Sequence, residues 1–305
     1  MTFHMPISNP IDQLIHDLEQ GRATKYRELV KRFKAGEGQR KKASEAHEKK
    51  QLEFMRSAGL KLNQIEQDQK EEARKLKSYL EQTRAPLISR PGMSVEDAKQ
   101  TAQSIARLGG LGLAIPPSAG FYYPPDTSGE VLPVDPSRIK IKDESTGFGW
   151  GWGQATAHRP VPPADVVFYF IPDQSARYSL TASFAFHGFY VLKADDGWLT
   201  SKDAHVTLDF SLDTFQFVDR GPKPFPLIDL EGQNIDEFSN IDNVLSFSDT
   251  QDLRQGEPVV VTASITVSAD ASGSGSYAEI NFADGDANYI EPQYLWVTNL
   301  TGFGQ

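Results

Sequence analysis

Two different periods of apolar residues divide the chain. Over roughly the first hundred residues, large apolar side chains recur every three or four positions, which is typical of amphipathic helices. Asn9 and Pro10 stand where a capping residue and a first-turn proline belong. We therefore predict two short helices at the start, each with its own apolar set: Ile11, Leu14, Ile15 and Leu18, then Tyr26, Leu29, Val30 and Phe33.

A longer helix is predicted over residues 39–84. This stretch contains no proline and one glycine, Gly59, and good helix formers dominate it. Its apolar seam is narrow and repeats after eleven residues, as from Ile65 to Leu76, close to the period of a straight helix. Because so thin a seam does not stabilise a long helix alone, we expect it to pack in a helical hairpin or coiled-coil-like bundle, with neighbouring helices or with copies of the chain.

The residues after this helix predict a stop and a new start. Pro86 and Pro91 are expected to end the long helix. Ser94 and Asp97 then resemble a capping box, with aspartate in place of the usual Glu or Gln. A further helix with a small-residue face follows and reaches Leu108.

A Gly- and Pro-rich apolar segment follows the helices, and we interpret residues 109–130 as a linker. It is nearly free of charge between positions 108 and 125. Such a segment could cross a core, make a subunit contact, or enter a membrane as the tongue of a pore-forming protein. The candidate contact residues are Leu111, Leu113, Ile115, Phe121, Tyr122 and Tyr123.

From residue 131 onwards the apolar period becomes two, which is typical of strands. Alternating runs around positions 180–186, 206–213 and 259–267 are separated by Gly-, Asp- and Ser-rich turn signals. Eight or nine strands without helical patterns between them predict an antiparallel β-sandwich, jelly-roll-like or immunoglobulin-like. The predicted fold class is therefore a segregated α+β protein, with a helical domain at 1–108 and a sandwich at 131–305.

Charge is distributed unevenly between the two parts. Residues 1–90 hold 19 Lys and Arg against 13 Asp and Glu, a charge of +6. The remaining residues carry a charge of −16, and the two parts together give the net charge of −10. An acidic body opposes contact with phosphate backbones. We therefore expect no nucleic-acid partner, although the basic residues 22–50 would be the place to test for one.

Cysteine, a signal-peptide pattern and an apolar run long enough to span a membrane are all missing from the sequence. This excludes disulfides and thiolate chemistry. We expect synthesis in the cytoplasm, with any release by a non-classical route.

The common catalytic motifs for nucleophilic serine, zinc or phosphate chemistry are also missing, so we predict a protein that is not an enzyme and has no catalytic residues.

One glycine–aromatic stretch could form a binding surface. If residues 147–153 are extended, Phe148, Trp150 and Trp152 share one face and glycines the other. An aromatic face of this kind could stack on sugars, lie at a membrane interface or form a subunit contact. The alternative is that it packs on the rest of the same chain.

We predict no cofactor, although oxygen side chains at alternate positions in one turn could bind calcium. Asp284, Asp286 and Asn288 have the spacing that calcium loops use. The EF-hand pattern then fails, because Tyr289 replaces its glycine and Leu295 its bidentate glutamate. A hairpin turn explains Asp-Gly equally well.

The three histidines of the β part, at 158, 187 and 205, have no spacing that demands a metal.

These patterns favour a non-enzymatic assembly, adhesion or recognition protein. The helical part would mediate homo-oligomer contacts or pair with helices of another subunit, and the sandwich would present a binding surface to a glycan or a membrane. Two alternatives remain open. One is a membrane-active toxin subunit that inserts around residues 108–125, and the other is a metal-dependent ligand-binding or catalytic sandwich.

Overall fold

The structure is a computed structural model in which two antiparallel sheets pack face to face, with helices on the outer face of one sheet. It describes single positions 24, 28, 31, 35, 49 and 50 and the ranges 52–90, 94–108, 112–122, 137–145, 164–194, 202–216, 218–219, 222–273 and 275–300. The two short helices predicted for the first 35 residues, and residues 39–48 of the long one, lie mostly outside these ranges.

The predicted long helix is interrupted at Gly59, so the prediction of one continuous helix over 39–84 was wrong. Residues 52–57 are helical, and Gly59 then adopts a φ of 75°. The Leu60 N–H donates to the carbonyl of Met55 (3.0 Å) and the Gly59 N–H to that of Arg56 (3.1 Å). This is the Schellman pattern, which ends a helix at a residue in the left-handed region.

Two helices follow the break, α1 (Leu62–Ser89) and α2 (Val95–Leu108). Helix α1 continues through Pro86, which the sequence predicted as its end, and stops at Ser89. The capping prediction for α2 is confirmed, because the Ser94 hydroxyl accepts the Asp97 N–H at 3.1 Å. Neither described helix is long and apolar enough to cross a membrane.

The described ranges contain twelve strands, which form two sheets of six, and every pairing among them is antiparallel. The strands are β1 (Leu113–Ile115), β2 (Ala119–Tyr122), β3 (Lys140–Ser145), β4 (Ala164–Phe170), β5 (Ala176–Ala194), β6 (Asp203–Gln216), β7 (Val218–Asp219), β8 (Lys223–Gly232), β9 (Ile235–Leu253), β10 (Val259–Ser272), β11 (Ser276–Asn281) and β12 (Tyr289–Asn299).

In sheet 1, the long strand β5 pairs with β9 along one edge and with β12 and β11, end to end, along the other. Strands β1 and β3 extend this sheet beyond β12 and β11. Sheet 2 has the order β2-β4-β10-β6, followed by β8 and β7. The eight strands β1, β4, β5, β6, β8, β9, β10 and β12 switch between sheets in the order of a jelly roll. The sandwich prediction is thus confirmed.

Part of the predicted linker is built into this sandwich. Strand β1 pairs with β12 and strand β2 pairs with β4, so each lies at an edge of a sheet. Ile115 is 7% exposed and belongs to the core between the sheets. Short apolar segments bounded by Gly and Pro can form such edge strands, and no local signal separates them from a loop.

Phenylalanines from both sheets fill the core. The rings of Phe210 and Phe247 stack at 3.8 Å between centroids, and Phe184 meets Phe210 edge-on at 5.1 Å. Phe184, Phe186 and Phe210 are fully buried. Aromatic pairs of this geometry add to the free energy of burial.

The helices pack on the outer face of sheet 1, a partner that the sequence did not predict. Leu76, Leu80 and Leu87 of α1 contact Phe189 and Val191 of β5. Burying each leucine contributes about 1.5–3 kcal/mol. Leu76 and Leu80 of the predicted apolar seam are therefore covered by a sheet, where the sequence predicted a helical partner.

A glycine permits the close approach at the end of α1. Gly285 has a φ of 87°, and a Cβ there would lie 2.2 Å from the carbonyl oxygen of Ile88. A side chain at this position would both strain the backbone and push the helix off the sheet.

Replacing a core phenylalanine tests the packing between the sheets. We expect Phe184→Ala to lower the free energy of unfolding by about 3–5 kcal/mol, because it leaves a cavity in a packed core. Phe54→Ala is the control, since Phe54 is 69% exposed, and should change stability by less than about 0.5 kcal/mol. Urea denaturation followed by fluorescence measures both, and equal losses would contradict the assigned core.

Candidate functional site

The structure does not describe the side chains of the predicted aromatic binding face. It also does not describe the side chains of most of the predicted contact residues. Phe148, Trp150 and Trp152 lie outside the described ranges, as do Leu111 and Tyr123. Phe121 and Tyr122 are placed as backbone in β2. Of the remaining two, Leu113 is 62% exposed and Ile115 is buried. Within the described residues 112–122, positions 113–115 and 119–122 are strand.

The predicted calcium loop is occupied by basic side chains. Asp284 accepts hydrogen bonds from Lys140 Nζ (2.8 Å) and Arg84 Nη2 (2.9 Å). The amide oxygen of Asn288 accepts from Arg90 Nη2 at 3.1 Å, and Asp286 points to solvent as an exposed residue. Carboxylate and amide oxygens that already bind guanidinium and ammonium groups are poorly placed for a cation. These contacts favour a structural role for the loop.

The described histidines do not meet. His187 lies on β5 and is fully buried, with Nδ1 2.8 Å from Asp242 Oδ1, whereas His205 lies on β6 of the other sheet and pairs with Asp229. His158 is outside the described ranges. Within those ranges no group of three or more His, Asp or Glu side chains is arranged to hold a metal ion.

Buried polar contacts fix the helices on sheet 1. Arg84 of α1 binds Glu279 (2.9 Å), whose side chain is 2% exposed, and Asp284. Arg90, at the end of α1, donates to the Gly188 carbonyl (2.7 Å) as well as to Asn288. Apolar contact alone allows a helix to slide, but these directed contacts define its position.

Beside α2, which contacts Tyr294 through Gln103, the outer face of sheet 1 carries hydroxyl and aromatic side chains in three rows. Each row crosses β12, β5 and β9 at paired register positions. We call this surface the hydroxyl–aromatic face. Its rows are Thr298–Ser179–Thr250, Trp296–Thr181–Ser248 and Tyr294–Ser183–Ser246.

None of the nine positions carries a formal charge, in a chain whose net charge is −10. Cross-strand hydroxyls bond directly to each other, Thr181 to Ser248 at 2.8 Å and Ser183 to Ser246 at 2.6 Å. Ser248 and Thr250 are exposed, Ser183 and Thr298 are buried, and the other five positions are partly exposed. The face is thus open on the β9 side and becomes covered towards β12.

The two aromatic side chains of this face are held in place. Tyr294 accepts a hydrogen bond from Gln103 of α2 at 3.2 Å. The indole nitrogen of Trp296 lies against Gly112, where an added Cβ would be 2.7 Å from it. Both rings are partly exposed. Rings positioned in advance lose little conformational entropy when a ligand stacks on them.

The hydroxyl–aromatic face was not predicted from the sequence, although β9 carries a local signal for it. In β9, Ser246, Ser248 and Thr250 alternate with other residues at the strand period. No strand was predicted in that region, where Asp and Asn are frequent and both are depleted in strands. That these hydroxyls align with Tyr294 and Trp296 follows only from strand pairing.

A cleft lies between α1 and the β3–β11 edge of sheet 1. This cleft has a volume of about 660 Å³. Burial and the neighbouring charge of Glu279 raise the pKa of Tyr277, which lies at the bottom and donates to Glu279 Oε2 at 2.6 Å. The cleft is lined by Arg74, Lys77, Leu80, Glu81, Arg84, Ala85, Ile88, Lys142, Glu144 and Tyr277.

Comparison with known proteins gives no family. No family model matches the chain, and no curated protein matches it. Among solved structures, a family 35 carbohydrate binding module from an environmental isolate is 13% identical, with a TM-score of 0.20, covering 61% of this chain and 96% of that one. Eiger TNF from S. frugiperda is 13% identical with a TM-score of 0.16, covering 57% and 95%.

A third solved structure, CBM4, is 11% identical with a TM-score of 0.14, covering 52% of this chain and 89% of that one. Similarity at these TM-scores carries no argument about function.

The Asp284 contacts predict a defined pH dependence. Burial alone would raise the pKa of Asp284, but hydrogen bonds from Lys140 and Asn281 and the charges of Lys140 and Arg84 outweigh it and lower the pKa. A carboxyl with a depressed folded pKa stabilises the fold above its unfolded value, about 3.9, and loses that contribution as pH falls through the folded value. Asp284→Asn should therefore be less stable at pH 7 and lose less stability on acidification below pH 4.

Denaturation curves from pH 7 down to the acid limit of folding would measure this difference. Asp286→Asn, on the same loop but exposed, serves as the matched control and should follow the wild-type pH profile. A wild-type profile for Asp284→Asn would show that its ion pairs do not contribute in solution.

Proposed function

We propose that this protein is a non-enzymatic recognition module that binds a neutral carbohydrate on the hydroxyl–aromatic face. The observation that carries the proposal is the pairing of three uncharged rows across β12, β5 and β9, with Tyr294 and Trp296 at one side. Neighbouring rows on one face are about 6.8 Å apart and strands about 4.8 Å apart. The face therefore measures roughly 14 Å by 10 Å.

The chemistry of the face suits a polyol. Each Ser or Thr hydroxyl both donates and accepts, so it can match sugar hydroxyls of either polarity. Sugar rings also present C–H surfaces, and these stack on the faces of aromatic rings such as Trp296. A surface of this kind needs no charge to bind its ligand.

The absence of charge also discriminates between ligands. An anionic or cationic group placed on this face would lose hydration without gaining an opposite charge. Neutral glycans lose only hydroxyl hydration, which the face replaces with hydrogen bonds. The expected ligands are therefore neutral polysaccharides rather than acidic ones.

Self-association stays a prediction beside this proposal. A homo-oligomer would present several copies of a weak face and raise its avidity without new contacts. Membrane insertion has less support, because Ile115 belongs to the core and β1 is hydrogen-bonded to β12.

Binding to immobilised neutral polysaccharides tests the proposal. The full chain would be run in native gels containing β-glucan, xylan, mannan or chitin derivatives, and its retardation would be converted to an affinity. We expect retardation by at least one, and Trp296→Ala should weaken it by about tenfold, since a stacked ring contributes about 1.5 kcal/mol.

A second variant removes one hydroxyl without changing the shape of the side chain. Thr250→Val, on the exposed side of the face, should weaken the same retardation by several-fold, because one hydrogen bond is worth roughly 1 kcal/mol. Thr266→Val is its control, since Thr266 is exposed on β10 of the other sheet. Retardation by none of the polysaccharides, or equal binding of wild type and both face variants, would refute the proposal.

A further inference from the structure

The cleft beside α1 has two walls of different origin. On the helix, the lining residues from Arg74 to Ile88 recur at helical spacing and form one stripe. The stripe is roughly 21 Å long at 1.5 Å per residue. On the sheet, Lys142 and Glu144 of β3 stand two positions apart and so share a face. A ligand in the cleft would touch both walls.

The basic groups of the cleft differ in whether they are already neutralised. Arg84 binds both Glu279 and Asp284, so its charge is balanced by the protein. Lys77 and Lys142 are exposed, and the described structure gives neither of them an ion pair. Their ammonium groups remain available to a ligand from opposite walls.

The acidic lining residues Glu81 and Glu144 do not cancel this excess. The cleft has four basic and two acidic lining residues. Because Arg84 is balanced by Glu279 and Asp284, the remaining Arg74, Lys77 and Lys142 against Glu81 and Glu144 leave a local charge of +1 in a chain of −10. Lysines on opposite walls can hold an anion as two point charges, and the low-dielectric floor at Tyr277 and Leu80 strengthens such contacts.

We propose that this cleft is a binding site for a small polyanion, held between Lys77 of α1 and Lys142 of β3. The ligand class is a compact molecule with two or more carboxylate or phosphate groups. The site is separate from the hydroxyl–aromatic face and does not rest on the carbohydrate proposal. One face of sheet 1 would then bear a neutral site and an anion site on either side of the helices.

Calorimetric titration with citrate and with pyrophosphate, at matched ionic strength, tests the site on the full chain. Sorbitol is the uncharged comparison. We expect both anions to bind and sorbitol not to bind, with an affinity that falls as salt rises. Binding of pyrophosphate but not citrate would identify phosphate as the preferred group, and the reverse would identify carboxylate. Binding of neither anion would overturn the proposal.

Charge-reversal variants assign the binding to this cleft. The double variant K77E/K142E should lose at least about tenfold in affinity, since two attractive contacts become repulsive. E81Q/E144Q should gain several-fold for the opposite reason. The matched control is K61E/K70E, which makes the same change in net charge at exposed positions outside the cleft.

Equal losses in K77E/K142E and K61E/K70E would show a general charge effect and would overturn the site. All six substitutions replace exposed side chains, so unfolding curves should be nearly unchanged. Trp296→Ala should leave anion binding intact, which separates this test from that of the carbohydrate face.

Discussion

The contact on which the rest of the structure depends is the packing of α1 and α2 on the outer face of sheet 1. It makes β5 a strand buried on both sides, with Phe184 facing the other sheet and Phe189 facing the α1 leucines. Strands buried on both faces are mostly apolar on both, and β5 follows this over its second half except at His187 and Lys193, which pair with Asp242 and Asp236. Where the helices end, the outer face becomes polar and open. The position of the helices therefore decides where a ligand can reach the sheet.

Apolar contact holds the helices down, and charged contacts determine where they lie. Arg84 pairs with Glu279, and Arg90 donates to the Gly188 carbonyl. Two guanidinium groups therefore lie over buried positions of the strands. Buried ion pairs add little net stability, but leaving one partner alone is costly, so a shifted helix is disfavoured. Gly285 completes the arrangement, since only a residue without a side chain lets α1 approach so closely.

The two candidate sites follow from this arrangement and select opposite chemistries. The hydroxyl–aromatic face is uncharged and offers rings fixed by Gln103 and Gly112, which suits neutral polyols. The cleft offers ammonium groups on two walls, of which Lys77 moves with the helix and Lys142 with the sheet. A ligand that bridges these walls would add a contact between helix and sandwich.

The sequence alone determined the division into a helical part and a strand-rich part, the sandwich, and the cap of α2, because each rests on a local period or a short-range hydrogen bond. It also contained the stop at Gly59, which was underestimated because isolated glycines are tolerated in many helices. Tertiary structure decided the rest. That Ile115 joins the core, and that Ser248 lies in one row with Trp296, depends on pairing between strands far apart in the chain. Local periodicity shows which residues share a face of one strand, but only register and layer packing decide which strands lie side by side and which faces stay open.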